Sequence, residues 1–237
     1  MAKATLVVSG GMDSATLAYF YAEQGYELHL VGFDYGQRHS KELKSLEAIA
    51  NSLECSWQVV DLKTLKEALA GSSLTSDDVQ VPDGHYAEET MRITVVPNRN
   101  AIMLAIATGI AVANGSDLVG TGVHAGDHYI YPDCRPEFIQ EINRAFILGT
   151  EGHAKEGFSL QAPFVYSTKA EICEVGMGLG VPYELTWSCY KGGEKHCGRC
   201  GTCVERIEAF INAGADDPTE YAEGIEFALE EIKKRDA

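Results

Sequence analysis

Positive charge is scarce in this chain, and it has no long hydrophobic run. Lys and Arg number 19 against 35 Asp and Glu, which gives a formal net charge of −16. A nucleic-acid-binding surface needs clustered cations, so this balance argues against a nucleic-acid partner. No apolar stretch approaches the roughly 18 residues of a membrane-spanning helix, and Met1-Ala2-Lys3 lacks the features of a signal peptide. We therefore expect a cytoplasmic protein that has no membrane partner.

Two common nucleotide-binding signatures are missing or interrupted. The pattern Gly-x-x-x-x-Gly-Lys-Ser/Thr does not occur, which excludes a Walker-type NTPase. Gly120–Ala125 matches the loose dinucleotide fingerprint Gly-x-Gly-x-x-Gly/Ala. The helix that should follow is broken by Gly126, Pro132 and Pro136, because glycine and proline both disfavour a helix interior. The match to the dinucleotide fingerprint is therefore a chance resemblance.

The segment Ser9–Ser14 has the sequence of an anion-binding loop. It follows the apolar run Ala4–Val8, which is typical of a buried strand, and Asp13 and Ser14 then open a predicted helix with an N-terminal cap. The glycine pair lets the backbone turn and approach a ligand, and a helix N-terminus favours negative charge. An ordinary tight turn is the alternative. The pattern resembles the pyrophosphate-binding loop of the PP-loop ATPases and predicts binding of a nucleotide phosphate.

The first 120 residues alternate between predicted strands and helices. This alternation is typical of an α/β, Rossmann-like fold with a mainly parallel sheet and helices on both faces, here similar to the adenine nucleotide alpha hydrolase-like folds. Residues 70–92 show no period and are predicted to form a long loop. The predicted strands are Ala4–Val8, Glu27–Phe33, Ser56–Asp61 and Asp117–Gly120, and the predicted helices are Ser14–Gln24, Lys41–Leu53 and Asn98–Asn114.

The pattern changes after residue 121. We predict a single domain over residues 1–237, with a nucleotide-binding α/β core at 1–121 and a helical region at 122–237 that carries a substrate loop and a cysteine cluster. The loop is predicted at Gly122–Pro136, and helices are predicted at Pro136–Leu148, Thr168–Leu179, Val204–Asn212 and Pro218–Lys234, with Ser167 or Thr168 as a cap.

Four of the seven cysteines lie within fifteen positions, at Cys189, Cys197, Cys200 and Cys203. Their spacing is C-x7-C-x2-C-x2-C, and four thiolates suit a closed tetrahedral zinc site that stabilises a loop. Related cysteine spacings also hold iron–sulfur clusters, and unliganded reduced thiols are a further alternative. We predict a small C-terminal zinc knuckle.

Several separated motifs make the chain resemble the 7-cyano-7-deazaguanine synthase family of PP-loop enzymes over nearly its whole length. The resemblance implies an ATP-dependent carbon–nitrogen ligase of queuosine biosynthesis that converts 7-carboxy-7-deazaguanine and ammonia to the nitrile through an adenylate and an amide. It also implies Mg²⁺, Zn²⁺ and a homodimer. Besides the loop and the cysteines, the motifs are Phe33–His39, Val96–Asn100, Tyr131–Arg135 and Thr168–Ile172.

The resemblance also assigns residues to roles. Asp13, Ser14 and Lys169 are the predicted catalytic residues, with Asp13 as a helix cap and a magnesium ligand and Lys169 as a phosphate contact. The predicted substrate contacts are Arg99, Asp133 and Arg135. The residues predicted to bind ATP are Val8, Ser9, Gly10, Gly11, Met12, Asp13, Ser14, Ala15, Thr16, Leu17 and Ala18.

Three other functions compete with the ligase. A PP-loop tRNA sulfur-transfer enzyme would use Cys134 as a sulfur carrier, but the acidic charge argues against an RNA partner. A synthetase fed by glutamine would need a glutaminase domain that 237 residues do not accommodate. A non-catalytic zinc-binding module would have no need of the Ser9–Ser14 loop.

Overall fold

A parallel sheet forms the centre of the fold. The computed structural model describes residues 1–36, 41–65, 81–84 and 94–235. Within these ranges the strands are β1 (Lys3–Val7), β2 (Glu27–Asp34), β3 (Ser56–Asp61), β4 (Leu118–Gly120) and β5 (Ser159–Gln161). They lie in the order β3-β2-β1-β4-β5, and every neighbouring pair is parallel. The order reverses between β1 and β4, and ligands of such sheets bind beside the carboxyl ends of the strands at that point.

Helices connect the strands and cover both faces of the sheet. Within the described ranges the α-helices are α1 (Met12–Glu23), α2 (Lys41–Ser52), α3 (Arg99–Ala113), α4 (Pro136–Gly149), α5 (Lys169–Gly178), α6 (Gly201–Asn212) and α7 (Glu226–Arg235). Short 3-10 turns occur at Lys63–Leu65, Ala125–Asp127, Pro132–Cys134 and Tyr183–Leu185.

Alternate strand residues pack against helices on opposite faces of the sheet. On one face Leu6 and Leu30 pack with Leu17 of α1 and with buried residues of α2, α5 and α6. On the other face Val31 and Val119 pack with buried residues of α3 and α4. The side-chain period of two places an apolar residue on each face, so both faces must be covered. The predicted Rossmann-like α/β fold is confirmed.

Two elements differ from the expectations drawn from the sequence. β5 was not predicted, because its three residues carry one apolar side chain between two polar ones and it pairs only with β4. The helix predicted at Pro218–Lys234 is wrong in its first half, since α7 begins at Glu226. In the preceding segment Tyr221 makes a backbone bridge to His196 and donates its hydroxyl to Asp217 at 2.5 Å. These contacts require a non-helical backbone there.

The two helix starts that matter for the site are capped differently. Gly11 is the N-cap residue of α1, in an extended conformation and without a side-chain cap. The predicted cap at Asp13 and Ser14 is therefore wrong, because both residues lie inside the first turn. α5 begins after a capping box in which the Thr168 hydroxyl accepts from Glu171 N and the Glu171 carboxylate accepts from Thr168 N. The predicted cap of α5 is confirmed.

The predicted loops fall partly within the described residues. Gly122–Pro136 is irregular, as predicted, and it contains two short 3-10 turns. No α-helix begins directly after the chance fingerprint at Gly120–Ala125. Of the loop predicted at 70–92 only residues 81–84 are described, and the 37–39 part of the Phe33–His39 motif also lies outside the described residues. Among the described helices none has the length and apolar content needed to span a membrane.

Candidate functional site

A cavity of about 240 Å³ opens beside the carboxyl ends of β1 and β4. Its wall combines the Ser9–Ser14 loop, the segment after β4, the first turns of α2, α3 and α5, and the region around the cysteine knuckle (Cys189–Cys203). The residues that line it include Ser9, Gly11, Asp13, Ser14, Tyr35, Glu42, Arg99, His124, Lys169, Tyr190, Thr202 and Glu205.

The Ser9–Ser14 loop is held in one shape by close backbone packing. Gly10 has a φ of +92°, and a Cβ at this position would lie 2.3 Å from the carbonyl oxygen of Glu42, so only glycine fits. Gly10 O accepts a hydrogen bond from Trp187 N at 2.9 Å, which ties the loop to the C-terminal region. Ser14 Oγ donates to Gly11 O at 3.1 Å. The loop is therefore fixed before any ligand arrives.

The first turn of α1 faces the cavity with backbone donors. The N–H groups of a first helical turn have no acceptor inside their own helix, and the helix dipole makes that end positive. Here the turn begins at Met12, directly after the extended Gly11. The Ser9 and Ser14 hydroxyls lie 3.3 Å apart beside it. This end of the cavity is built to bind an anion.

Lys169 lies between two carboxylates beside the first turn of α1. Its Nζ is 2.7 Å from Glu205 Oε2 and 3.2 Å from Asp13 Oδ2, and the three side chains are between 13% and 21% exposed. Burial alone would lower the pKa of Lys169, but the charges of Asp13 and Glu205 outweigh it and hold the pKa above its usual value. The ammonium group therefore stays charged. The arrangement joins α1, α5 and α6 at one point.

His124 adds a second contact to Asp13. Its Nδ1 accepts from Gly126 N at 3.1 Å, so in the neutral ring the proton is on Nε2. That nitrogen lies 3.8 Å from Asp13 Oδ2 and 3.6 Å from Asp127 Oδ2. The other carboxylate oxygen, Asp13 Oδ1, is buried and has no hydrogen-bond partner among the described residues. Such an oxygen suits a bound cation or a ligand N–H group.

A second part of the cavity, beside the first turns of α2 and α3, is aromatic and carries Glu42 and Arg99. Arg99 donates from Nη1 to Tyr35 Oη at 3.4 Å, and its guanidinium lies 5.6 Å from the centre of that ring. Burial raises the pKa of Glu42 to about 7, and the charge of Arg99 opposes this shift. Burial also raises the pKa of Tyr35 to about 12. Sequence reasoning missed Glu42, which stands in the first turn of α2 and is brought into the cavity only by the fold.

The other predicted site residues lie elsewhere. Asp133 Oδ2 accepts from Asn100 N at 2.9 Å at the start of α3, and the exposed Arg135 donates from Nε to His128 O at 2.9 Å. Neither lines the cavity, whereas Arg99 does, and their substrate roles stay predictions. Val8 and Met12 line the cavity, but Ala15, Thr16, Leu17 and Ala18 are fully buried in α1.

The four knuckle cysteines meet at one point. All four Sγ atoms lie within 4.8 Å of one another, with separations of 3.9 Å for Cys197–Cys203 and 3.5 Å for Cys200–Cys203. A tetrahedral zinc with Zn–S bonds of about 2.3 Å needs sulfurs about 3.8 Å apart, so the set fits zinc. Cys197 N and Cys200 N also point at cluster sulfurs, at 3.4 and 3.3 Å, as backbone donors do around bound thiolates.

The knuckle also positions part of the cavity wall. α6 begins at Gly201, three residues before the predicted start, and so carries one of the four clustered cysteines, Cys203, in its first turn. Thr202 and Glu205 on the same helix line the cavity. The position of Glu205 beside Lys169 therefore depends on where the cysteine cluster anchors α6.

Comparison with known proteins gives matches over nearly the whole chain. The family model described as queuosine biosynthesis protein QueC matches residues 3–214. The 7-cyano-7-deazaguanine synthase of Brucella ovis is 52% identical over 238 residues, covering 99% of this chain and 100% of the relative. That of Brucella anthropi is 53% identical with the same coverage. Among solved structures, NMN synthetase from Francisella tularensis has a TM-score of 0.48 at 13% identity, over 98% of this chain and 84% of that chain.

Proposed function

Because the chain belongs to the QueC family of queuosine biosynthesis proteins, we infer that it is an ATP-dependent ligase that makes 7-cyano-7-deazaguanine from 7-carboxy-7-deazaguanine and ammonia. The observation that carries this conclusion is the identity of 52% to relatives named 7-cyano-7-deazaguanine synthase over essentially the whole chain. The cavity supports it independently, since it joins an anion-binding helix N-terminus to an aromatic compartment with an arginine.

The first half of the reaction activates the acid. A carboxylate is a poor electrophile, so its oxygen attacks the α-phosphate of ATP, and the acyl adenylate and pyrophosphate form. Negative charge develops on the departing pyrophosphate, and the first turn of α1 with the charged Lys169 is placed to stabilise it. The hydroxyls of Ser9 and Ser14 offer further donors beside the same turn.

Ammonia then displaces AMP from the acyl adenylate and gives the amide. A second ATP adenylates the amide oxygen, and loss of AMP and a proton from that species leaves the nitrile. Both activations release pyrophosphate, so both use the same anion-binding turn. No step requires a protein nucleophile, because positioning and charge stabilisation supply the catalysis.

Two metals belong to the proposal. Asp13, whose buried Oδ1 lacks a partner among the described residues, is the proposed protein ligand for the Mg²⁺ that neutralises phosphate charge when ATP binds. The four knuckle cysteines are the proposed ligands of a structural Zn²⁺. Glu205 is proposed to hold Lys169 in place through the 2.7 Å contact.

The wider organisation is proposed on the resemblance and the fold. We propose one domain, because β5 from the 122–237 part completes the sheet of the 1–121 part and Trp187 N binds Gly10 O. A cytoplasmic homodimer without a nucleic-acid partner is proposed as well. For the alternative tRNA sulfur-transfer enzyme, burial raises the pKa of the Cys134 thiol above its usual value, which disfavours the thiolate that a sulfur carrier needs.

The experiment that tests the function supplies the purified protein with Mg-ATP, ammonium and 7-carboxy-7-deazaguanine. We expect the nitrile, detected by mass, with AMP and pyrophosphate formed in proportion to it. Absence of nitrile from a folded, zinc-loaded preparation overturns the proposal. A parallel reaction with tRNA and a sulfur donor tests the alternative, and sulfur incorporation that depends on Cys134 would favour it.

A further inference from the structure

Glu42 is a carboxylate in the cavity that the chemistry above does not use. It stands in the first turn of α2 and lines the cavity. Within the parts of the chain that the structure describes, its carboxylate makes no hydrogen bond or ion pair. Among the described residues, the charged and titratable groups that face it electrostatically are Arg99, Tyr35 and Tyr190. A charged group in this setting is costly unless a ligand pairs with it.

The position of Glu42 is fixed relative to the Ser9–Ser14 loop. The backbone carbonyl of Glu42 packs so tightly against Gly10 that a Cβ there would lie 2.3 Å away. The first turn of α2 and the anion-binding turn therefore form one rigid wall. The side chain of Glu42 therefore enters the cavity from a backbone position that is fixed relative to the loop.

The chemistry of that wall selects a particular kind of ligand group. An ionised carboxylate accepts hydrogen bonds and repels anions, so it suits neither phosphate nor the carboxylate of the acid substrate. Arg99 has the opposite preference and matches a carboxylate. Tyr35 and Tyr190 offer flat surfaces for a ring. Two parallel N–H donors on a planar ring are the best partner for both carboxylate oxygens of Glu42.

We propose that Glu42 is the residue that reads the ring edge of the substrate, accepting hydrogen bonds from the ring N–H and the neighbouring exocyclic amino group of the deazaguanine. The assignment rests on the proposed function, because it is that function which supplies a guanine-like ring. Glu42 thereby selects rings with two adjacent donors over rings with one. Hydrogen bonds from the bound ring would also offset the free-energy cost of the partly buried Glu42 carboxylate.

The test compares two ligands on two proteins. Direct binding to the zinc-loaded protein, without ATP or ammonium, is measured for 7-carboxy-7-deazaguanine and for its analogue without the exocyclic amino group. We expect the wild type to prefer the first by about 10- to 100-fold, the size of one lost charge-assisted hydrogen bond. In Glu42→Gln the preference should fall to less than about threefold, and the KM for ATP should stay unchanged.

Glu47 on the same helix is exposed, so Glu47→Gln is the matched control and should keep the full preference. If Glu42→Gln weakens both ligands equally, Glu42 only positions its neighbours and the proposal is overturned. A change confined to the KM for ammonium would also overturn it, since Glu42 would then serve the nitrogen donor. Glu42→Ala repeats the comparison should the glutamine variant fail to fold. If the wild type converts the acid but Glu42→Gln keeps the full preference between the two ligands, only the role of Glu42 is refuted. If the wild type neither binds nor converts the acid, the proposed function is refuted as well.

Discussion

The two walls of the cavity obtain their shape in different ways. The Ser9–Ser14 side is built on regular structure, where parallel strands set the register and one glycine of positive φ allows the backbone of α2 to pack against the turn. The side around the cysteine knuckle has little regular structure before α6 begins. It is held instead by clustered thiols and by a buried ion pair.

That ion pair is centred on Arg206, which is fully buried in α6. Its Nε donates to Asp217 Oδ2 at 3.0 Å, and its other nitrogens donate to Thr186 Oγ1 at 2.7 Å and Tyr183 O at 3.1 Å. Burial would raise the pKa of Asp217, but the hydrogen bonds and charge of Arg206 outweigh it and lower the pKa. The comparison shows that the knuckle wall, which lacks a sheet, depends on a few specific side-chain interactions. Loss of any one of these interactions should destabilise that wall.

Removing one of the four knuckle cysteines should have the largest effect and should act first on the knuckle wall. In Cys203→Ser the proposed zinc site loses one of its four sulfur donors, and a structural zinc contributes about 10 kcal/mol or more to folding. We expect loss of bound zinc, a large fall in the thermal midpoint and loss of turnover, measured by metal analysis, calorimetry and nitrile formation. Cys55→Ser, outside the cluster, is the control and should keep its zinc. Retention of zinc by Cys203→Ser would remove this residue from the ligand set.

Changing Asp13 should impair the function of the Ser9–Ser14 wall and leave the fold of the knuckle wall intact. Asp13→Ala removes the carboxylate beside Lys169 and the proposed Mg²⁺ ligand, and loss of such electrostatic stabilisation lowers turnover by about 10³-fold. The zinc content and the thermal midpoint should stay close to the wild type. The exposed Asp61 provides the control variant Asp61→Ala, for which activity should be normal. Unchanged turnover in Asp13→Ala would take this residue out of the site.

Arg206→Met sharpens the comparison by testing the ion pair separately from the zinc. It leaves the Asp217 carboxylate in the interior without its partner, and such a loss costs about 3 to 5 kcal/mol. We expect the free energy of unfolding, measured in urea, to fall by that amount while zinc remains bound in the folded protein. The double variant Arg206→Met with Asp217→Leu should recover most of the loss, because no unpaired charge remains. A loss as large in the double variant would show that packing, and not charge, is what Arg206 contributes.

The smallest effect concerns Glu42 and should stabilise the protein. The pKa of this carboxyl is raised from 4.5 to about 7 in the folded state. Its ionised form therefore destabilises the folded protein at pH above 7, and this penalty disappears as pH falls below 4.5. The difference in free energy of unfolding between Glu42→Gln and the wild type should therefore rise by about 1 to 3 kcal/mol, in favour of the variant, as the pH increases from below 4.5 to above 7. Urea unfolding across that range measures it, and a difference independent of pH would contradict the raised pKa.

The sequence was a good guide where local patterns determine structure. β3 was predicted at its observed bounds, the cap of α5 was recognised, and the four cysteines do come together. The family assignment is confirmed by relatives at 52% identity. Roles of single site residues stay predictions.

The remaining features depend on contacts between distant parts of the chain. β5 is too short to have a pattern of its own and exists through its pairing with β4. The late start of α7 follows from contacts of Tyr221 with Asp217 and His196. Glu42 looked like an ordinary charge in a first helical turn, and only the fold brings it into the cavity. No local spacing in the sequence encodes these neighbours.

The close packing of Gly10 against the Glu42 carbonyl fixes the spacing between the Ser9–Ser14 loop and the first turn of α2. Attempts to make the enzyme accept a longer ring system cannot succeed by loosening this end, since any side chain at Gly10 would push α2 and the turn apart together. Room has to be made elsewhere in the lining, where Tyr131 and Met103 contribute side chains and not a close backbone contact. Redesign for new heterocycles should therefore start from those two positions and leave the glycine untouched.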